Sequence, residues 1–220
     1  MTIFLLIRHG ETDYNKKWHL PGRIPDVHLN KRGCQQAQAL ADHLSTAPIK
    51  AIYSSPLDRT LETAGPLAKL LNLEVIPMVG LLETDCGEWQ GLSVKKLRRL
   101  KVWQEVQHHP SLFTFPGGES VRECQQRMVQ AIESLRLIHS PDDVVACFSH
   151  ADPLKQVIAY YLGLGLDNFQ RLSITPGSVS ALSITGNSSQ LMSLNYNPSF
   201  SWEALQPSNL NKSAANARSK

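Results

Sequence analysis

Strand-like and helix-like segments alternate along this 220-residue chain, which predicts an α/β sandwich with a mainly parallel central sheet. Three observations carry the prediction. Residues 2–7, 51–53 and 143–149 are short apolar runs bounded by turn or polar residues, as buried strands are. Between them apolar residues recur at helical spacing, as in Ala37, Leu40, Ala41 and Leu44. The length suits one domain, and 42% apolar with 19% charged residues is a globular mix that argues against disorder.

The elements follow in order. Residues 2–7 form a first strand, ended by Arg8-His9-Gly10. Residues 30–45 form a helix, and 51–53 a strand that stops at Ser54-Ser55-Pro56. Residues 57–71 read as a helix that Pro66 should kink or break. A strand-like stretch at 74–76 leads into a loop holding Glu83. Val94, Leu97 and Leu100 mark a short helix with Lys95, Lys96, Arg98, Arg99 and Lys101 on its other sides. Ser120 and Glu123 have the spacing of a capping box, opening a long helix to about Ile138. After the strand 143–149, Asp152-Pro153 reads as an N-cap with proline at the first helical position, and the helix runs to about Leu162. Residues 178–184 and 189–194 form a terminal hairpin across Gly186-Asn187. The expected organisation is one domain over 1–205, with a small helical insertion at about 92–118 and a disordered tail at 206–220.

Composition excludes several classes. The net charge is +3, and Lys212, Arg218 and Lys220 in the acid-free tail account for it. The remainder is near neutral, so the basic field of a nucleic-acid binder is absent. The longest clean apolar run, residues 3–7, has five residues, far short of a membrane span. No basic leader with a long apolar region is visible. Cys34, Cys86, Cys124 and Cys147 contain no CxxC pair, so neither a zinc site nor a dithiol motif is suggested. Reduced thiols and a cytoplasmic location are expected. His108-His109 lacks a carboxylate helix motif, and Gly163-Leu164-Gly165 follows a helix rather than a strand, which fits neither a metal hydrolase nor a dinucleotide site.

The chemistry lies at strand ends, where ligands of open α/β sheets sit. Arg8 and His9 follow the first strand, Arg59 opens the helix after the second, and His150 ends the strand 143–149. Two guanidinium groups and two imidazoles in one pocket suit a tetrahedral dianion. Imidazole is also a covalent nucleophile, and Glu83 is a candidate to protonate a leaving alkoxide and then deprotonate water. Each residue alone has an ordinary structural role available; the joint placement carries the reading. His9, His150, Arg8 and Arg59 are therefore expected to meet around one phosphate-sized volume, with Glu83 on its rim.

At this point the sequence resembles the histidine phosphatase superfamily, in the branch that includes cofactor-dependent phosphoglycerate mutase. Leu6-Ile7-Arg8-His9-Gly10-Glu11-Thr12-Asp13-Tyr14-Asn15 is similar to its signature. Leu29-Asn30-Lys31-Arg32-Gly33, residues 53–63, Leu82-Glu83 with Gly87-Glu88-Trp89-Gln90-Gly91, Gly117-Gly118-Glu119-Ser120 and Phe148-Ser149-His150 continue the match in order. The resemblance spans about residues 3–195. It implies a phosphoglycerate mutase-like three-layer α/β/α fold. It also implies His9 as the nucleophile, Arg8, Arg59 and His150 as holders of the phosphoryl group, and Glu83 as proton donor and base. Asn15 would add a phosphoryl contact, and Gly22 and Arg23 would lie on the substrate side. No metal and no cofactor is implied, because the arginines supply the positive charge.

Two positions depart from the family pattern. Pro21 stands where many relatives have Gln, and Ala151-Asp152 where they often have Gly-Gly or Gly-Asn. Asp152 either orients the His150 ring or caps the next helix, and the cap is the plainer role. The run Leu82-Glu83-Thr84-Asp85-Cys86-Gly87 differs from the mutase type, and the insertion after Glu83 is modest, so a phosphatase is favoured over a phosphoglycerate mutase. A non-catalytic phospholigand-binding module would be expected to lose His9 or Glu83, and both are present. The basic insertion helix could attract a polyanion, but a solvated face is the plainer reading. The expected partner is a small phosphorylated substrate, with no nucleic acid and no membrane; a homodimer is compatible with the chain.

Overall fold

The computed structural model describes residues 1–186 and 188–198. The expected tail at 206–220 and the hairpin residue Asn187 lie outside them. The elements are β1 (Thr2–Arg8), α1 (Asp13–Lys16), α2 (Lys31–Leu44), β2 (Ile49–Ser54), α3 (Asp58–Leu71), β3 (Val75–Pro77), α4 (Val94–Leu97), α5 (Trp103–His108), α6 (Val121–Ile138), β4 (Val144–Ser149), α7 (Ala151–Tyr161), β5 (Val179–Thr185) and β6 (Ser188–Tyr196).

The sheet order is β3-β2-β4-β1-β5-β6. β3, β2, β4 and β1 run parallel, while β5 and β6 form an antiparallel hairpin against β1. The expected α/β/α sandwich follows from alternation along these strands. On β4, Val144, Ala146 and Phe148 meet Leu40, Leu44, Ala64 and Leu67 of α2 and α3 on one face. Val145 and Cys147 meet Met128, Ile132, Leu154 and Val157 of α6 and α7 on the other. Every residue of β4 is buried, as a central strand covered on both faces must be. A satellite core packs Trp89, Leu97, Val106, Phe113 and Phe115 with Phe169. No helix among the described residues is long and apolar enough to cross a membrane.

Capping follows the sequence closely at two helices. Asn30 caps α2 by accepting from Gly33 N at 2.9 Å. Ser120 and Glu123 complete the capping box of α6.

Two local expectations are corrected. α3 runs unbroken through Pro66. Its inward residues Thr60, Thr63, Ala64, Leu67 and Ala68 are buried, and such packing outweighs the single backbone hydrogen bond that proline forgoes. At α7 the N-cap is His150, not Asp152, so Pro153 is the third helical residue rather than the first. Proline is tolerated there because the first-turn N–H groups have no intrahelical acceptor.

The loop after β1 is held close to α2. Gly10 and Gly33 pass so near each other that a Cβ on either would collide with backbone, Gly33 against Glu11 O. This contact fixes the chain just beyond His9.

Candidate active site

Adjacent strands β2, β4 and β1 deliver their C-terminal ends side by side. Arg8 lies opposite Ser149 in the β1–β4 register, and Ser54 opposite Phe148 in the β2–β4 register. His9 N donates to Ser149 O at 3.1 Å, and Ser55 N to Phe148 O at 2.9 Å. The backbone that carries His9, Ser55 and His150 is thus one continuous hydrogen-bonded rim. Gly10 N donates to Thr63 Oγ1 at 3.0 Å, which ties the same rim to α3.

His9 is buried. Its Nδ1 donates to Gly10 O at 2.7 Å, since a carbonyl can only accept. Burial, then Arg59 and Arg8, hold its pKa well below the ordinary histidine value. A neutral ring with the proton on Nδ1 leaves the Nε2 lone pair free, which is the state a nucleophile needs.

His150 stands beside it, with ring centroids 5.2 Å apart at 61°. Burial, Arg59, His9 and Arg8 lower its pKa well below the ordinary value too. Its Nε2 and Ser55 Oγ are hydrogen-bonded at 2.9 Å. Its Nδ1 lies 3.7 Å from Glu83 Oε2 and has no hydrogen-bond partner among the described residues. Asp152 does not orient this ring; it accepts from Lys155 Nζ at 3.1 Å.

The two arginines carry unspent donors. Arg8 NH1 donates to Ile174 O at 2.6 Å, and Arg59 NH2 to Gly22 O at 2.7 Å. Arg8 Nε and both Nε and NH1 of Arg59 are buried without a partner among the described residues. Burial lowers both pKa values, partly offset by the Glu83 carboxylate. Buried, charged and unpaired donors of this kind are costly unless an anion meets them.

Glu83 sits in the loop after β3, its side chain 15% exposed. Its Oε1 accepts from Thr84 N at 2.9 Å. Burial and Asp152 raise its pKa to about 7 against the opposing pull of Arg59 and Arg8. A carboxyl so tuned exchanges its proton near neutrality.

A cavity of about 370 Å³ opens over these groups, and Arg8, His9, Asn15 and Glu83 line it. Arg59 and His150 lie fully buried beside them rather than on the cavity wall. Asn15 Oδ1 is committed to the Thr12 cap of α1, which leaves its amide nitrogen as the spare donor. Gly22 contributes its carbonyl to Arg59. Arg23 turns away from the cavity: its Nε donates to Glu83 O at 2.8 Å, and its guanidinium pairs with Glu119 at 3.0 Å and Asp85 at 3.5 Å. Trp18, Trp89, Trp103, Phe115 and Phe169 also line the cavity, together with Asp152 and Lys155. The charged residues of the insertion helix are exposed and do not line the cavity, as the solvated-face reading expected.

Ser55, Thr63, Glu119 and Arg127 escaped the sequence reading as site residues. Ser55 and Thr63 lie inside the block 53–63 and Glu119 inside Gly117-Gly118-Glu119-Ser120, so their neighbourhood was marked but not their contacts. Among the described residues, three metal-type ligands come within 4.8 Å of one another only at Asp26, His28 and Asp58, on the surface; there His28 Nδ1 and Glu62 Oε1 already pair at 2.6 Å.

The chain matches the histidine phosphatase superfamily (branch 1) over residues 4–197. It is 32% identical over 200 residues to phosphoserine phosphatase 1 of Hydrogenobacter thermophilus, covering 89% of this chain and 92% of that protein. It is 29% identical over 193 residues to the 2,3-bisphosphoglycerate-dependent phosphoglycerate mutase of Thermoplasma acidophilum, covering 84% and 88%. The structure of mycobacterial glucosyl-3-phosphoglycerate phosphatase with VO3 aligns with a TM-score of 0.82 at 27% identity, over 89% of this chain and 99% of that one.

Proposed function

The chain belongs to the histidine phosphatase superfamily, branch 1, and we propose that it hydrolyses a small phosphomonoester through a phosphohistidine formed on His9. One observation carries the reading: a neutral, Nδ1-protonated His9 beside unspent arginine donors and a carboxyl that titrates near neutrality.

In the first half-reaction His9 Nε2 attacks phosphorus and the bond to the leaving oxygen breaks. The Glu83 proton goes to that oxygen. Arg8 and Arg59 neutralise the charge of the equatorial oxygens as a metal would elsewhere, and the neutral His150 ring supplies a hydrogen bond beside them. In the second, Glu83 takes a proton from water, the hydroxyl oxygen attacks phosphorus, and the phosphorus–nitrogen bond breaks. Phosphate leaves and His9 returns to its neutral form.

The phosphatase relatives support a phosphorylated metabolite as substrate, phosphoserine or a phosphoglycerate derivative being the first to test. The Thermoplasma relative favours a second reading, mutase activity. A bisphosphate primer needs a second set of cations, and Arg8 and Lys155 are the only arginine or lysine lining the cavity among the described residues. Hydrolysis is therefore the better reading. A cytoplasmic location belongs to the same proposal. The test is phosphate release from O-phosphoserine, 3-phosphoglycerate and p-nitrophenyl phosphate in excess EDTA, with wild type beside His9→Ala. Chelator-resistant release that His9→Ala abolishes is expected; release that needs a metal or survives His9→Ala would overturn it.

A further inference from the structure

We propose that Arg127 is a positioning residue for Glu83: from α6 it grips the backbone of the loop that carries the acid and sets where its carboxyl meets the leaving oxygen. The inference rests on Glu83 acting as the acid, as proposed above.

Between β3 and α4 the chain has only short 3₁₀ turns, Val79–Leu81 and Gly87–Trp89. Glu83 lies between those turns, so no ladder or α-helix holds it. Arg127 supplies what regular structure does not. Its NH1 donates to Gly80 O at 2.9 Å and to Leu82 O at 3.0 Å. Its NH2 donates to Glu83 O at 3.3 Å. One guanidinium therefore gathers three carbonyls from four consecutive residues. Arg23 Nε, from the loop between α1 and α2, donates to the same Glu83 carbonyl at 2.8 Å.

Glu119 locks the two arginines together. Its Oε1 pairs with Arg127 NH2 at 2.7 Å and Arg23 NH2 at 3.0 Å, and accepts from Asp85 N at 3.0 Å. Burial alone would raise the Glu119 pKa, but Arg127 and the Asp85 amide hold it below the usual carboxylate range. Gly118 allows this close approach, because a Cβ there would collide with Asp85 O.

Mostly buried ion networks contribute little net stability compared with apolar packing of the same volume. Placed at the root of a general acid, this one has a geometric use. An acid must come within about 2.6–3.2 Å of the oxygen it protonates. A displacement of about 1 Å can cost about 100-fold in rate.

A leaving-group comparison separates this role from general destabilisation. Phenyl phosphate needs protonation of a poor leaving group; 2,4-dinitrophenyl phosphate does not. Steady-state kcat/KM is measured for both with wild type, Glu83→Gln, Arg127→Met, Arg127→Lys and Glu119→Gln. Arg127→Met is expected to lose about 100-fold on phenyl phosphate and less than about threefold on the dinitrophenyl ester. Arg127→Lys should recover part of the loss. Glu119→Gln, which keeps size and polarity, should show the same selectivity at about tenfold and carries the test should Arg127→Met not fold. Equal loss on both esters, or no loss on either, overturns the proposal. If Glu83→Gln itself shows no selectivity, the acid assignment falls and this inference with it. If wild type turns over neither ester, the phosphohydrolase reading falls first.

Discussion

Replacing Arg59 by methionine should leave the ligand-free protein about as stable as wild type and make it blind to phosphate. Arg59 is completely buried and makes a single side-chain hydrogen bond, from NH2 to Gly22 O at 2.7 Å. Its Nε and NH1 have no partner among the described residues, and burial pulls its pKa down. Losing a hydrogen bond from a charged donor costs about 1.5–3 kcal/mol. Removing a buried, incompletely paired charge offsets this, as replacements of buried ion pairs by apolar residues are neutral or gain about 1–4 kcal/mol. The net expectation is a stability within about 1 kcal/mol of wild type, or within about 2–4 °C in Tm for a domain of this size. Wild type should gain about 2.7 kcal/mol from phosphate at 100 times its Kd, and Arg59→Met a small fraction of that. Thermal unfolding followed by circular dichroism, with and without phosphate, reads both effects. A ligand-free Arg59→Met that melts more than about 8 °C below wild type, or one that keeps the full phosphate shift, would refute the view that the site stores unmet positive charge for a dianion.

Two further predictions concern the proton and the ring. Glu83 must be protonated to act first, so kcat/KM on phenyl phosphate should hold below about pH 7 and fall about tenfold per unit above it, and Glu83→Gln should abolish that limb. The same raised pKa, from 4.5 to about 7, makes the folded protein bind the extra proton; its stabilising effect is present below about 4.5 and lost as pH rises through about 7, which urea midpoints of wild type and Glu83→Gln can compare. Ser55→Ala removes the hydroxyl bonded to His150 Nε2; it should cost about 1 kcal/mol of stability and about tenfold in kcat/KM, measured by denaturation and steady-state kinetics.

The sequence made the strand ends legible because each is an apolar run stopped by a polar residue of distinct chemistry. Arg8 and His9 after β1 and His150 after β4 needed only that pattern, and the parallel register then sets them side by side. The cap of α6 was legible because Ser120 and Glu123 stand three residues apart, whereas the Asn30 cap of α2 was not read from the sequence. The errors lie where tertiary packing outweighs a local rule. Pro66 is carried through α3 by its buried inner face, and Asp152 yields the cap of α7 to His150. The support beneath Glu83 was invisible because Arg127 reaches back more than forty residues to the 80–83 backbone. Arg23 resembled a substrate contact, yet it does not line the cavity and its guanidinium stands against Asp85 and Glu119. No periodicity encodes such pairings; they exist only once α6 is packed on the sheet. The separate short helix α5 was likewise folded into a general expectation of a helical insertion, since six residues give no period to read.

The most direct test is to trap the intermediate. Wild type is mixed with phosphate-labelled p-nitrophenyl phosphate in excess EDTA and quenched within the first turnover. The account predicts an alkali-stable, acid-labile phosphoprotein whose label maps to His9 and disappears in His9→Ala. Steady turnover without such a species, or label that persists in His9→Ala, would contradict it.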